Sequence, residues 1–342
     1  MIQKPRNQYF DFIQIFRGVA ALMVVFHHTY NSFSYFHQLN IPLFSYLASV
    51  GKYGVDFFFV LSGFIITYSS YNYADNPSKV KNYIWHRWVR IYVPYLPISI
   101  LLLGMYSILP HFSGSNRNIS LITTITLLPP GEPALSVAWT LIQEITFYAA
   151  FIIFFISKAG WRILVIGWSI GILYFYLNPT AVGPFTHVLF NNYNFEFILG
   201  YLLVELIKWE RRSNFWLSIS LSVFFFLLFF INTLSMLVTF PFINNLFFAL
   251  GIMTLLYIAI HHANKIVKQT NIFMILGNAT YSIYLVHNPL QAFLVRLVPF
   301  SSHLLISICE LSCIVILCCL AGYLYYLIFE RFVMLQIKKR SS

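Results

Sequence analysis

Residues 12–31 read FIQIFRGVAALMVVFHHTYN, an apolar run long enough to cross a membrane as one helix. A crossing helix needs about 20 mostly apolar residues, because the hydrocarbon core of a bilayer is about 30 Å thick. Arg17 stands near the start of this run, and His27 and His28 stand near its end. Ionisable side chains are costly in hydrocarbon, so these three need a partner, a water-filled path or a place at the membrane surface.

The chain as a whole has the composition of a polytopic membrane protein. Of its 342 residues, 59% are hydrophobic and 9% are charged, which is far more apolar than a soluble domain requires. The net charge of +11 does not indicate nucleic-acid binding, because the basic residues stand in short groups at the ends of apolar runs. We therefore expect membrane lipids around the chain and no nucleic-acid partner.

The apolar segments and the charges between them predict the topology. Lys and Arg are concentrated in alternate loops and in both terminal segments, as expected for the cytoplasmic side of a membrane. The sequence therefore predicts an all-α integral membrane bundle of about ten transmembrane helices with both termini in the cytoplasm. The candidate spans are residues 12–31, 50–69, 91–109, 136–157, 161–178, 189–207, 214–232, 242–261, 272–297 and 303–329.

No linker or shift in composition divides the sequence into parts. We expect one domain over residues 1–342, with short cytoplasmic tails at about 1–9 and 332–342. Glu330 and Arg331, just before the second tail, most simply end the last helix.

Arg17 and His28 are predicted to share one face of the first helix. Eleven residues turn a helix by about 1,100°, about 20° from three whole turns, and advance it by roughly 16 Å. His27 points about 100° away, so His28 is the histidine that lies over Arg17. The alternative is that Arg17 extends to the cytoplasmic headgroups and the histidines merely end the helix at the outer surface.

Polar residues also interrupt later apolar segments. Arg87 and Arg90 are three residues apart and therefore neighbours on one helical turn, where they could mark the inner side of the membrane or bind phosphates. Thr140, Glu144 and Tyr148 follow one another at intervals of four, which predicts a polar stripe. A carboxylate inside the bilayer needs a cationic partner or a proton. Other polar or amphipathic residues of this kind are Asp56, Ser62, Trp139, Glu196, Tyr284 and His287.

Taken in order, these motifs resemble those of the membrane-bound acyltransferase family 3, and within it the exopolysaccharide O-acetyltransferase branch. The resemblance runs from about residue 10 to residue 331. Many members of the family have Asp three residues before the arginine, whereas this chain has Gln14 there, as the exopolysaccharide branch does. Thr140 and Thr280 replace serines of the family pattern. The five motifs are Arg17 and His28 separated by ten residues, GVDFFFVLSGFII at 54–66, Arg87 and Arg90 before Pro94, WTLIQEITFY at 139–148, and YSIYLVHNP at 281–289.

The resemblance implies an enzyme of the bacterial cytoplasmic (inner) membrane. Its activity would be acetyl transfer from cytoplasmic acetyl-CoA, as co-substrate, to a sugar hydroxyl of a cell-surface polysaccharide or its lipid-linked precursor. An imidazole titrates near neutral pH and can take a proton from a hydroxyl, and guanidinium groups suit the phosphates of coenzyme A.

We accordingly assign catalysis to His28 and donor binding to Arg17, Arg87 and Arg90. Glu144 is expected to orient His28 or balance its charge, and His287 to hydrogen-bond the acceptor sugar or the thioester carbonyl. His28 acts either as a base for direct transfer or as a transient acyl carrier, and the acyl group is acetyl or a larger one such as succinyl. A structural or substrate-path role is expected for Asp56, Ser62, Trp139, Tyr148, Glu196 and Tyr284.

Two other classes of protein share some of these features. A secondary transporter also carries buried ionisable residues on its substrate route, although it would be expected to show repeated halves and broken helices. A non-catalytic component of an envelope polysaccharide export complex would use the polar residues for helix association. The sequence has no HExxH motif, and we expect no metal ion. The oligomeric state is open.

Overall fold

The computed structural model describes residues 9–109, 117–179, 183–209, 214–235, 241–262, 271–299, 301 and 303–333. Within these ranges the chain is helical and contains no β-strand; an isolated bridge joins Ile119 and Glu132. The all-α prediction is confirmed for this part of the protein. The tails predicted at about 1–9 and 332–342 lie almost wholly outside the described residues, and the cytoplasmic position of the termini stays a prediction.

Fourteen α-helices are present in the described ranges, joined by short 3-10 turns at Tyr71–Tyr73, Pro77–Lys79 and Ser136–Ala138. A π-helical turn, Tyr326–Glu330, follows the last of them. The helices are α1 Tyr9–His37, α2 Pro42–Gly51, α3 Gly54–Ser70, α4 Val80–Ile108, α5 Leu121–Thr126, α6 Trp139–Ile156, α7 Lys158–Leu177, α8 Pro184–Leu189, α9 Asn194–Trp209, α10 Phe215–Ser235, α11 Pro241–His262, α12 Ile272–Asn278, α13 Thr280–Leu297 and α14 Leu304–Tyr325.

Eight stretches of the described chain are long and apolar enough to cross a membrane. Each coincides with one of the ten predicted segments. They are Asp11–His37, Pro42–Tyr73, Pro77–Ile108, Ser136–Ile156, Lys158–Leu177, Phe215–Leu234, Phe242–His262 and Leu304–Val333.

The two remaining predicted segments are helical but differ from the other eight. Helix α9 has 16 residues, which rise about 24 Å, less than the thickness of the hydrocarbon core. The segment predicted at 272–297 is divided at Ala279 into α12 and α13, and α13 is comparatively polar because it contains His287 and Arg296. The count of about ten spans therefore stays a prediction.

Contacts along the chain separate two compact units. The carboxylate unit, as we call it, comprises residues 1–13, 55–87 and 140–267, and the histidine unit comprises residues 14–54, 88–139 and 268–342. Each unit is thus assembled from three separated stretches of sequence. That residues 1–342 form one domain stays a prediction.

In the carboxylate unit, glycines bring two helices into backbone contact. A Cβ atom at Gly63 of α3 would lie 2.1 Å from the carbonyl oxygen of Phe197, and one at Gly200 of α9 would lie 2.1 Å from that of Val60. Small residues permit such close approach between membrane helices. Aromatic rings fill the adjacent core, with Phe147 and Phe197 stacked at 4.8 Å between ring centroids.

In the histidine unit, α1 is packed against α12 in the same manner. A Cβ atom at Gly18 would lie 2.3 Å from the carbonyl oxygen of Phe273, and one at Gly277 would lie 2.0 Å from that of Gln14. On the next helix pair, a Cβ atom at Gly322 of α14 would lie 2.5 Å from the Cα of Ile283 on α13. These contacts fix the part of α1 that carries Arg17 beside the start of α13.

Candidate active site

Two histidines that are distant in sequence meet in the histidine unit. His28 of α1 and His287 of α13 have ring centroids 5.3 Å apart and ring planes inclined by 46°. His287 is fully buried, while His28 is partly accessible. The structure thus brings together the predicted catalytic histidine and one of its two predicted supporting residues.

The backbone of α13 fixes the His287 ring. Its Nδ1 lies 2.8 Å from the carbonyl oxygen of Tyr284 and 3.1 Å from that of Ile283. Carbonyl oxygens only accept hydrogen bonds, so Nδ1 carries the hydrogen and the neutral ring keeps its lone pair on Nε2. That Nε2 is buried and has no hydrogen-bond partner among the described residues. It is available to accept a hydrogen bond from a bound hydroxyl.

His27 has a different environment from its neighbour. Its Nδ1 lies 2.7 Å from the carbonyl oxygen of Ala48 on α2, and its ring lies 4.9 Å from that of His28 between centroids. His27 therefore takes part in the contact between α1 and α2, whereas His28 lies against His287. The two faces expected from helical geometry are confirmed.

Arg17 lies on the same continuous helix as His28, about 16 Å away along its axis. Its guanidinium donates a hydrogen bond to the Gln14 side chain at 3.2 Å, so the glutamine that stands in the position of the family's Asp is a direct partner of this arginine. Arg17 and Arg90 both interact electrostatically with Glu330. The histidine unit therefore brings two of the three predicted donor-binding arginines to one carboxylate.

Sequence reasoning missed the role of Glu330 in this cluster. The residue was expected to end the last helix, but α14 continues through the π-helical turn and Glu330 accepts a hydrogen bond of 2.5 Å from Ser282. The signal in the sequence was a carboxylate inside a long apolar segment. A π turn shifts the register of the residues after it, so spacing alone gave no sign that Glu330 would reach α13.

A second group of polar side chains lies near the histidine pair. Tyr284 donates a hydrogen bond of 2.8 Å to the carbonyl oxygen of Val137, and Asn288 donates one of 2.5 Å to Ser136. Gln291 donates to Asn288 at 3.1 Å, and its own Oε1 is buried without a partner in the described chain. Sequence reasoning missed Asn288 and Gln291, although both lie within four residues of His287.

Trp139, which stands at the start of α6, is 37% exposed. The substrate-path role expected for Trp139 and Tyr284 stays a prediction.

Glu144 belongs to the carboxylate unit, where two hydroxyl groups bind it. Its Oε1 accepts a hydrogen bond of 3.0 Å from Ser62 of α3 and another from Tyr148, one turn further along α6. The polar stripe predicted on α6 is confirmed for Glu144 and Tyr148. A pairing of Glu144 with His28 stays a prediction.

Arg87 also lies in the carboxylate unit, above two tyrosine rings. Its guanidinium carbon lies 5.6 Å from the ring centroid of Tyr148 and 5.8 Å from that of Tyr83, within the range of cation–π attraction. Its Nε is buried and has no hydrogen-bond partner among the described residues. The donor-binding role predicted for Arg87 is compatible with this free N–H but stays a prediction.

Asp56 and Glu196 form a buried carboxyl pair in the same unit. Each side chain is 3% exposed, and the two groups are hydrogen-bonded to each other. A hydrogen bond between two carboxyl groups requires a proton, so the pair carries at most one negative charge. The pair links α3 to α9 near the glycine contacts, which fits the structural role expected of both residues.

Within the described part of the chain, no group of three or more His, Cys, Asp and Glu side chains is placed to hold a metal ion. The groups suited to an anionic co-substrate are Arg17 and Arg90 in the histidine unit and Arg87 in the carboxylate unit.

Comparison with known families gives one match. The model of acyltransferase family 3, described as an acyltransferase domain, matches residues 10–327. The matched range includes His28, His287, Glu144 and the three arginines, while Glu330 lies just beyond it. No curated protein and no solved structure matches the chain.

Proposed function

The chain belongs to acyltransferase family 3, and on this premise we propose that it is a membrane-bound O-acetyltransferase of the exopolysaccharide branch. It moves an acetyl group from cytoplasmic acetyl-CoA to a sugar hydroxyl of a cell-surface polysaccharide or its lipid-linked precursor, in the bacterial cytoplasmic membrane. Eight apolar helices of spanning length make it a multi-pass membrane protein. The donor, the acceptor and the bacterial location are parts of the proposal.

The observation that carries the proposal is the pair of His28 and His287, 5.3 Å apart between ring centroids. Acyl transfer to an alcohol needs a group that removes the hydroxyl proton as the new bond forms. His28 is partly accessible and is suited to receive that proton. His287 holds its Nδ1 hydrogen on the backbone and offers a lone pair at Nε2, which would accept a hydrogen bond from a second hydroxyl of the acceptor sugar and so orient it.

The reaction balances without a further reactant. The acceptor oxygen attacks the thioester carbonyl carbon while the His28 imidazole takes the hydroxyl proton. The bond between carbon and sulfur then breaks, and the proton passes to the coenzyme A sulfur, which leaves as the thiol. In the acyl-carrier alternative, His28 attacks the thioester and coenzyme A leaves as the thiolate. The acceptor oxygen then attacks the acetyl carbon, the bond to His28 breaks, and the hydroxyl proton passes to the released imidazole and on to the thiolate.

The separation of Arg17 from His28 supports a donor that lies along α1. Arg17 is about 16 Å from His28 along the helix, comparable to the reach of an extended pantetheine arm. Arg17 and Arg90 would hold the phosphates while the thioester reaches the histidines. Charge-assisted hydrogen bonds from arginine to phosphate are among the stronger polar contacts in proteins.

The polar group beside His287 is proposed to bind the acceptor. Asn288 and Gln291 are linked by a hydrogen bond of 3.1 Å, and the free Gln291 Oε1 could accept one from a sugar hydroxyl. Amide side chains both donate and accept, which suits the hydroxyl groups of a carbohydrate.

Acetyl transfer by the purified protein tests the proposal. The full chain, reconstituted in phospholipid vesicles, is given acetyl-labelled acetyl-CoA and a polysaccharide fraction, with protein-free vesicles as the control. The proposal predicts label in an alkali-labile ester, and succinyl-CoA in a parallel reaction identifies the acyl group. Accumulation of label inside the vesicles without ester formation would indicate a transporter. Absence of both ester and uptake would indicate a non-catalytic component. Either outcome would contradict the proposal.

A further inference from the structure

The contacts of the histidine unit converge on Glu330 from three helices. On α13, Ser282 donates a hydrogen bond of 2.5 Å to Glu330 Oε2. The neighbouring Tyr281 donates one of 2.9 Å to the carbonyl oxygen of Ile91, the residue that follows Arg90 on α4. These two bonds, made by adjacent residues of α13, place the α4 backbone next to Arg90 and the Glu330 carboxylate beside the same helical turn.

The third helix is α1, which carries Arg17. The close contacts of Gly18 with Phe273 and of Gly277 with Gln14 fix this part of α1 against α12, and α12 leads directly into the start of α13. Arg17 is therefore held by backbone packing beside the turn that binds Glu330.

The turn that follows α14 brings Glu330 to the start of α13. Tyr325 donates a hydrogen bond of 2.8 Å to the carbonyl oxygen of Pro94 on α4, and the π-helical turn begins at the next residue and ends at Glu330. Such turns are rare in helices and occur frequently at functional sites. A helix that merely ended here would have no need of one.

The charges of this cluster are unequal. Two guanidinium groups face one carboxylate, and the contact of Glu330 with Arg17 and Arg90 is electrostatic, whereas its hydrogen bond runs to Ser282. Glu330 therefore lowers the positive potential at the two arginines.

We propose that Glu330 is a positioning residue of the donor site, which weakens the hold of Arg17 and Arg90 on the phosphates so that coenzyme A can leave after transfer. This inference rests on the proposed function, because it concerns the affinity of the same arginines for a coenzyme A ligand. Donor and product carry the same phosphates, so a site without the opposing charge of Glu330 would hold the product more tightly and release it more slowly. Release of product limits turnover in many enzymes.

Binding of coenzyme A itself tests the inference apart from turnover. Labelled coenzyme A is titrated onto the purified full chain in detergent, comparing wild type with Glu330→Gln, which keeps an oxygen for the Ser282 hydrogen bond but removes the charge. The expected result is a Kd lowered about fivefold, because loss of a nearby opposing charge strengthens anion binding at a partly exposed site. In the transfer assay the same variant should show a lower donor KM together with a lower kcat.

Three matched variants separate charge from structure. Glu330→Met also lacks the charge and must lower the Kd as Glu330→Gln does, which keeps the test valid if one variant folds poorly. Glu330→Asp keeps the charge and should bind coenzyme A within about twofold of wild type. Glu205→Gln makes the same chemical change at the ion pair with Lys158 in the carboxylate unit and should leave the Kd unaltered.

The two possible failures are distinguishable. If wild type binds no coenzyme A and forms no ester, the proposed function is wrong. If wild type binds coenzyme A but both neutral variants bind it no more tightly, or more weakly, the role of Glu330 is wrong and that of the arginines stands.

Discussion

The two units of the molecule differ in what surrounds their buried carboxyl and histidine side chains. In the carboxylate unit, Glu144 accepts hydrogen bonds from Ser62 and Tyr148, and Asp56 and Glu196 bind each other. In the histidine unit, His28 is partly accessible and the Nε2 of buried His287 has no partner among the described residues. Arg87 Nε in the carboxylate unit also has no partner among the described residues, but the His287 lone pair differs because it lies beside a second, accessible histidine.

This difference indicates which unit carries the chemistry. A network whose members satisfy one another stabilises a fold and specifies its packing. A lone pair left buried beside an accessible histidine is costly unless a substrate completes it. We therefore assign bond-making to the histidine unit and expect substitutions there to reduce catalysis, whereas polar substitutions in the carboxylate unit should act mainly through stability.

The largest effect is expected at the histidine pair. Replacing His287 by Gln removes the imidazole that orients the acceptor and should lower kcat by about 100-fold, because misplacing a reacting group by about 1 Å can cost that much. The double variant His28→Ala/His287→Gln should have a kcat only a little lower than that of the slower single variant, since the effects of substituting residues that act as one unit are not additive. Initial rates of ester formation measure both effects.

A buried histidine of the same unit provides the control for His287→Gln. His37 is 7% exposed and lies 3.1 Å from the carbonyl oxygen of Val295 through its Nε2. His37→Gln should keep kcat within about threefold of wild type, because a replaced hydrogen bond changes stability by about 1 kcal/mol without touching the reaction. Equal losses in the two variants would show that His287 is structural.

A smaller effect, confined to donor use, is expected at Arg17. Arg17→Ala should raise the donor KM about tenfold, the cost of one charge-assisted hydrogen bond, with little change in kcat. The control is Arg296→Ala, which removes an arginine of the same unit that lies over the Phe36 ring. Saturation curves with acetyl-CoA measure the effect, and an unchanged donor KM for Arg17→Ala would remove this arginine from the donor site.

The smallest effect is expected at Glu144. Glu144→Gln keeps an oxygen to accept from Ser62 and Tyr148 and should lower kcat by less than about fivefold, because the network survives the loss of charge. The kcat of Ser62→Ala, which keeps the Glu144 charge but loses one of its hydrogen bonds, is measured for comparison. A loss as large as that of His287→Gln would place Glu144 in the reaction, as an electrostatic partner of His28, and would break the division between the two units.

Features set by local geometry were predictable from the sequence. One continuous helix carries both Arg17 and His28, so their shared face followed from the rotation per residue, as did the shared face of Glu144 and Tyr148, one turn apart on α6. Eight of the ten predicted segments have the length and composition of a membrane span in the described chain, because a run of about 20 apolar residues is recognisable from the sequence alone.

Features set by contacts between distant segments were not predictable. Nothing in the spacing of His28 and His287, or of Ser62 and Glu144, says that their helices touch. Glu330 was missed because a π-helical turn changed its register. Asn288 and Gln291 were missed because the hydrogen bond of Asn288 runs to Ser136 of a remote turn, and that of Gln291 runs to Asn288.

The adjacent histidines offer the most direct test of the central claim, that His28 carries out acetyl transfer. His28→Asn and His27→Asn make the same chemical change one residue apart, on faces of α1 that differ in what they touch. Both are to be purified in equal amounts, reconstituted and assayed for labelled ester with acetyl-CoA. The account predicts that His28→Asn forms ester at least about 100-fold more slowly than wild type, while His27→Asn keeps a third or more of the rate; full activity of His28→Asn would contradict it.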